Sequence, residues 1–281
     1  MQKDRKEIKL IAFDLDGTFL DDRKNIPEEN LRAIEFAASR GIHIVPATGR
    51  LYNGLPAILQ ELDFIRYYIL INGAQVYDAQ AGKVLVSADI SNGLAISLMD
   101  HAEEIGAYYD CYKDNRGVMN QAMYDYLDPV MPDANYRAYM RSVRTPVADL
   151  RTYLRADGGN VQKVQYFFSD LSERAHQLEV LNGLFPGIKA TSSLSTNIEI
   201  NSVNAGKGPA LEKLCACLGF TAENAMAFGD GTNDLDMLIA AGVGVAMSNS
   251  DTKLFPHADL ITPCDNNSAG VGKAIFDYLR G

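Results

Sequence analysis

Apolar residues in the first third of the chain fall into short, nearly continuous runs, separated by longer stretches where they recur at helical spacing. Ile8 to Phe13, Ile42 to Ala47 and Tyr67 to Ile71 are too short for helices and lack the alternation of a half-exposed strand. Between them, Pro27 to Arg40 reads as a helix that opens on proline and stops at Gly41, and Leu55 to Leu62 as another. Continuous apolar strands separated by helices predict a parallel sheet covered on both faces. Right-handed crossovers then place the C-terminal end of every strand along one edge, where sites form in such sheets.

The pattern resumes after residue 200. Lys207 to Leu218, Leu235 to Ala241 and Gly272 to Leu279 read as helices, and Ala225 to Phe228, Val243 to Met247 and Asp259 to Thr262 as strands. The middle differs: a hairpin-like region after Gly82, a helix at Leu94 to Glu104, and a strand at Lys163 to Phe168. A helix at Ser172 to Leu184 follows, then paired strands at Ile188 to Ser193 and Asn197 to Asn201. The expected architecture is an α/β doubly wound parallel sheet formed by residues 1–82 and 191–281, interrupted by an α+β module at 83–190.

Composition narrows the function classes. The 281 residues suit one domain carrying an inserted second, and 47% apolar content is enough for a core. A formal charge of −10 argues against a non-specific nucleic-acid or membrane-surface binder. The N-terminal apolar stretch is broken by Asp14 and Asp16, which excludes a signal peptide, and no run reaches transmembrane length. A cytoplasmic monomer or homodimer is expected. Cys111, Cys215, Cys217 and Cys264 form no Cys-x-x-Cys pair and read as buried or partly buried thiols. His43, His101, His176 and His257 have no metal-ligand spacing. Tyr108, Tyr109, Tyr112, Tyr124 and Tyr126 read mainly as packing residues of the inserted module.

Four polar segments fall after strands or at helix starts: Asp14 to Thr18, Ala47 to Arg50, Lys207 between Gly206 and Gly208, and Gly229 to Asp234. All four should meet at one sheet edge. Transfer of a phosphoryl group needs an in-line nucleophile, a metal ion and donors for the equatorial oxygens. Asp14, on a rigid strand end, suits the nucleophile. Asp16 suits the proton donor to the leaving oxygen and later the base for water, and its backbone carbonyl can also face the metal. Asp230 suits a further Mg²⁺ ligand. Thr48, Gly49, Lys207 and Asn233 can bind phosphoryl oxygens, while Asp234 can steady a metal-bound water or Lys207. A lysine opening a helix is disfavoured by the dipole, so Lys207 implies an anion beside it. Arg50 has two readings, a substrate contact or a partner for a surface carboxylate.

With these motifs in this order, the chain resembles the haloacid dehalogenase-like superfamily, and within it the Cof-type phosphatases with a type IIB cap. The resemblance spans DLDGT at Asp14 to Thr18, ATGR at Ala47 to Arg50, and the Ile71 to Ala74 turn. It continues through GKG around Lys207, GDGTND at Gly229 to Asp234, and Val245 to Asn249. It implies a Rossmann-type core and an inserted cap. It further implies Asp14 as nucleophile, Asp16 as acid/base, Leu15, Thr48, Gly49, Lys207 and Asn233 at the phosphate, and Asp14, Asp16 and Asp230 at Mg²⁺. Asp234 supports that set, and Arg50 and Asn72 face the substrate side. Two departures concern substrate fit: Ser248 replaces a common glycine, and Asp265 to Gly270 replaces a more acidic loop.

The expected activity is Mg²⁺-dependent hydrolysis of a small phosphorylated metabolite, such as a sugar phosphate or similar phosphoester, through an aspartyl-phosphate. A phosphomutase of the phosphomannomutase type is the alternative. It needs a second phosphate site in the cap, where Arg137, Arg141, Arg144, Arg151 and Arg155 read mainly as solvated faces. A non-enzymatic sensor of phosphorylated ligands would have lost part of the catalytic set, and none of it is missing.

Overall fold

Leu10–Phe13, wholly buried, is an inner strand of a five-stranded parallel sheet. The sheet runs in the order Leu260–Ile261, Val243–Ala246, Ala225–Gly229, Leu10–Phe13, His43–Pro46. The computed structural model describes residues 5–130, 133–168, 170–191 and 196–280, without the side chains of Pro129, Val130 and Tyr136. The chain leaves Leu10–Phe13 toward one side for His43–Pro46 and returns on the other for Ala225–Gly229. Asp14 therefore stands at the topological switch point. Phe13 pairs with both Phe228 and Pro46, so three strand ends lie level there.

Tyr67–Leu70 is the expected third strand and runs parallel to the end of the second. It joins the main sheet through a parallel bridge between Ala47 and Ile69 and the Thr48 amide's bond to the Ile69 carbonyl at 2.9 Å, and it pairs antiparallel with Gln75–Asp78, which pairs with Lys83–Ser87. The reversal comes from Ile71 and Asn72, both at φ 54°, which turn the backbone straight back on itself.

The chain divides into two compact units, one of Met1–Arg50, Leu55–Ser87 and Ala205–Gly281, the other of Leu51–Gly54 and Ala88–Asn204. These bounds differ from an insertion at 83–190. Lys83–Ser87 is hydrogen-bonded into the first unit's hairpin, and Asn197–Ser202 into the second unit's sheet.

The second unit holds a six-stranded sheet in the order Ile188–Thr191, Asn197–Ser202, Lys163–Phe167, Tyr108–Lys113, Arg116–Asn120, Arg144–Val147. The expected extension of the first of these over 192 and 193 lies outside the described residues. One face packs Tyr109, Cys111, Val164 and Tyr166 into a core with Leu98, Leu154 and Leu181 of helices Asn92–Glu104, Leu150–Asp157 and Leu171–Leu184. Alternate positions, Asp110, Lys163, Gln165 and Glu199, bear the opposite side chains and are also buried. Arg144 joins them, against its expectation as a solvated residue, because Asp110 supplies a buried partner at 2.6 Å. Among the cysteines, Cys217 is exposed rather than buried, Cys111 and Cys215 are buried and Cys264 is half-buried.

Candidate active site

Every expected site residue belongs to the first unit. Asp14 follows Leu10–Phe13, Thr48 follows His43–Pro46, Lys207 opens the helix Lys207–Cys217, and Asp230 and Asp234 follow Ala225–Gly229. Lys207 Nζ donates to Asp14 Oδ1 and to Asp234 Oδ1, each at 2.5 Å. The two carboxylates are the anions that a lysine at a helix start requires. Gly208 lets this helix start come close, since a Cβ there would lie 2.3 Å from the Asp236 carbonyl oxygen.

Asp234 Oδ2 accepts from the Asp230 and Gly231 amides, both at 3.0 Å. Asp234 thus holds Lys207 with one oxygen and the Asp230 loop with the other. Thr18 Oγ1 donates to Asp230 Oδ1 at 2.6 Å. Gly17, at φ 85°, leaves room for that carboxylate: a Cβ there would stand 2.4 Å from Asp230 Oδ2. One oxygen from each of Asp14, Asp230 and Asp234 lies within 4.8 Å of the others.

Three carboxylates share one ammonium in a buried setting. Burial pushes the Asp14 carboxyl up against the pull of Lys207, and the charges of Asp234 and Asp230 add to the rise, to about 8. Burial likewise raises Asp230 to about 6, although the Thr18 hydrogen bond opposes it. Burial lowers Lys207, but Asp14 and Asp234 outweigh it and hold its pKa above the ordinary range. A hard divalent cation would offset the excess negative charge, and the all-oxygen donor set fits one.

The Asp16 carboxylate is not part of this cluster; the expectation for the metal concerns its backbone carbonyl. Arg50 grips it as a fork, Nε to Oδ2 at 2.9 Å and Nη2 to Oδ1 at 2.6 Å, and Lys24 Nζ lies 2.8 Å from Oδ1. Burial pushes the Asp16 carboxyl up, but the hydrogen bonds and charges of Arg50 and Lys24 prevail and hold it below its ordinary value. Arg50 does pair with a carboxylate, then, but that carboxylate is Asp16 itself. Lys24 was missed by the sequence reading; its only signal is its place in the turn after Asp21 and Asp22, where it takes φ 66°.

Thr48 is buried, and its Oγ1 accepts from the Arg50 amide at 3.2 Å. Its carbonyl accepts from the Asn72 amide at 3.0 Å, and a Cβ on Gly49 would meet Asn72 Oδ1 at 2.9 Å. Thr48, Gly49, Arg50 and Asn72 therefore form one packed corner. Leu15 turns its side chain into the core. Asn233 is exposed.

The model of a family described as haloacid dehalogenase-like hydrolase matches residues 11–275. The chain is 30% identical over 99% of its length to 5-amino-6-(5-phospho-D-ribitylamino)uracil phosphatase YcsE of Bacillus subtilis, covering 99% of that protein. A haloacid dehalogenase-like hydrolase from Bacteroides thetaiotaomicron superposes with TM-score 0.81 at 25% identity, covering 96% of this chain and 99% of the other. A subclass IIB sugar phosphatase of the same superfamily shares the fold, with TM-score 0.77 at 22% identity over 96% of this chain and 98% of the other. The chain belongs to the haloacid dehalogenase-like hydrolases and is a Cof-type phosphatase of that superfamily.

Proposed function

We propose that the protein hydrolyses the phosphate monoester of a small sugar-like metabolite, with Mg²⁺ as its cation and Asp14 as its nucleophile. The carrying observation is the buried bridge from Lys207 to both Asp14 and Asp234. It fixes one oxygen of Asp14 and leaves the other for attack. Asp14, Asp230 and the backbone of Asp16 would hold the ion, which supplies the positive charge that lets a carboxylate approach a phosphate dianion.

Asp14 attacks phosphorus, the ester P–O bond breaks, and Asp16 gives its proton to the departing oxygen. Water then attacks the aspartyl-phosphate and loses its proton to Asp16. The Asp14–phosphorus bond breaks, and inorganic phosphate leaves. Because Arg50 and Lys24 occupy both oxygens of Asp16, this role requires Asp16 to exchange those partners for the substrate. Lys207, with Thr48, Gly49, Leu15 and Asn233, binds the phosphoryl oxygens; Arg50 and Asn72 serve the substrate side.

A phosphorylated sugar or sugar alcohol is the favoured substrate class. The Bacillus relative's name describes a phosphoribityl compound, and the subclass IIB neighbour is named a sugar phosphatase. We place the protein in the cytoplasm as a monomer or homodimer, a setting supported by its free cysteines. No described helix is long and apolar enough to cross a membrane.

Phosphate release from a panel of phosphorylated metabolites, with and without Mg²⁺, tests the reading beside Asp14→Asn. Release should require the cation and fall at least about 10³-fold in the variant while the fold is retained. Retained turnover in the variant would remove Asp14 as nucleophile. Isomerisation of a hexose phosphate without net phosphate release would favour the mutase instead.

A further inference from the structure

Three asparagines from distant parts of the first unit hold backbone carbonyls that follow Asp16. Asn30, fully buried on the helix Glu28–Ala38, donates from Nδ2 to the Phe19 carbonyl at 2.9 Å. Its Oδ1 accepts from the Gly272 amide at 2.7 Å. Asn266, also buried, donates from Nδ2 to the Leu20 carbonyl at 3.0 Å. Asn249 donates from Nδ2 to the Gly17 carbonyl at 2.8 Å, and its Oδ1 accepts from the Asn266 amide at 3.2 Å.

These anchors reach the reacting residues through short backbone links. The Phe19 amide donates to the Asp14 carbonyl at 3.2 Å, and the Leu20 amide to the Leu15 carbonyl at 2.9 Å. On the other side, the turn carrying Asn249 is tied to the Asp230 loop. Met247 N donates to the Gly229 carbonyl at 3.0 Å and Asp251 N to the Asp230 carbonyl at 2.9 Å. Asn249 thus spans the loop of Asp14 and the loop of Asp230. Only a side-chain amide can donate to one partner and accept from another here; aspartate in the same shape would face a carbonyl with no proton to give.

The geometry points to Asn30, Asn249 and Asn266 as positioning residues that set the Asp14–Thr18 backbone against the Asp230 loop, an inference that rests on the phosphatase reading above. Asn249 separates this role from plain stabilisation. It is exposed, so its bond to Gly17 adds little to the stability of the fold while still fixing where the loop sits. The Asp265 to Gly270 segment, which departs from the family pattern, acquires a purpose through Asn266.

The test compares Asn249→Ala and Asn266→Asp with wild type and with Asn182→Ala. Asn182 makes a similar paired contact in the second unit, accepting from the Ala190 amide at 2.8 Å and lying 3.3 Å from the Ala190 carbonyl. Turnover of p-nitrophenyl phosphate with Mg²⁺, the midpoint of thermal unfolding, and hydrogen exchange of the peptide covering residues 14–22 are measured for each. For Asn249→Ala, kcat should fall about tenfold with KM within about twofold, the size of one lost hydrogen bond in the barrier. Exchange in the 14–22 peptide should quicken and the unfolding midpoint stay near wild type. Asn182→Ala should lower the midpoint and leave kcat and that peptide unchanged. Unchanged kcat and unchanged exchange in Asn249→Ala would overturn the inference, even if Asn266→Asp fails to fold. A wild-type protein that releases no phosphate would sink the phosphatase reading, and the exchange comparison would then decide the positioning role by itself.

Discussion

Lys207 in the first unit and Arg144 in the second are both buried cations, yet the company they keep differs in charge. Lys207 stands among Asp14, Asp234 and the neighbouring Asp230, one positive charge to three carboxylates. Arg144 donates to Asp110 at 2.6 Å, to Tyr112 Oη at 3.0 Å and to Gln165 at 2.8 Å, and Lys163 lies 3.1 Å from Glu199. Both cations of this second group also lie over the Tyr112 ring, Arg144 at 4.6 Å and Lys163 at 4.1 Å. Its charges cancel two against two. A buried cluster that balances itself holds a sheet together, whereas one with surplus negative charge is built to receive a cation.

The largest effects should come from removing each cation. Lys207→Met leaves Asp14 and Asp234 facing each other, so stability without added cation should fall by about 3 kcal/mol or more in urea titration. Phosphate release should drop about 10²–10³-fold with it. Arg144→Met should cost a similar ~3 kcal/mol by stranding Asp110, and adding Asp110→Leu should recover most of that loss. A double variant as unstable as Arg144→Met would mean that Arg144 acts mainly through Tyr112 and Gln165.

A smaller effect follows from the cation. Mg²⁺ at about a hundred times its Kd should stabilise the protein by about 2.7 kcal/mol. Asp230→Asn should abolish most of that gain, and Asp110→Asn should leave it intact. Equal loss from both variants would end the distinction between the two clusters.

Much of this was legible in the sequence, for identifiable reasons. The strands preceding Asp14, Thr48 and Asp230 are continuous apolar runs, so their ends and the motifs after them could be placed by pattern alone. Lys207 announced its anions by opening a helix. The hidden parts depend on partners remote in sequence or on backbone that pattern does not encode. Arg144 meets Asp110 from 34 positions away, across the one strand between them, and no local feature marks it as buried. The positive φ at Ile71 and Asn72, which makes the third parallel strand a hairpin arm as well, leaves no mark in the apolar pattern. Asp16 stands two positions from Asp14 in the sequence. Its capture by Arg50 and Lys24 needed the fold, since the three lie on separate segments.

The smallest effect probes the second unit where it has no buried charge at stake. Asp149 caps the helix Leu150–Asp157, its side chain accepting from the Thr152 amide at 2.7 Å. Asp149→Ala should cost about 1 kcal/mol. Phosphate release at a temperature well below unfolding should not change, since Asp149 belongs to the second unit and the cluster to the first. The Thr152 hydrogen bonds hold the Asp149 carboxyl below its ordinary value of 3.8, so the native state favours the ionised form. Its contribution is therefore full at neutral pH, persists down to the unfolded-state pKa, and is lost as the pH falls through the lower folded-state pKa. Unfolding of wild type and variant, followed from pH 7 downward, should show their difference closing only in that acid range. A difference that already closes near neutral pH would tie the cap to some other titrating group, and a fall in turnover would carry the second unit's local stability into the chemistry of the first.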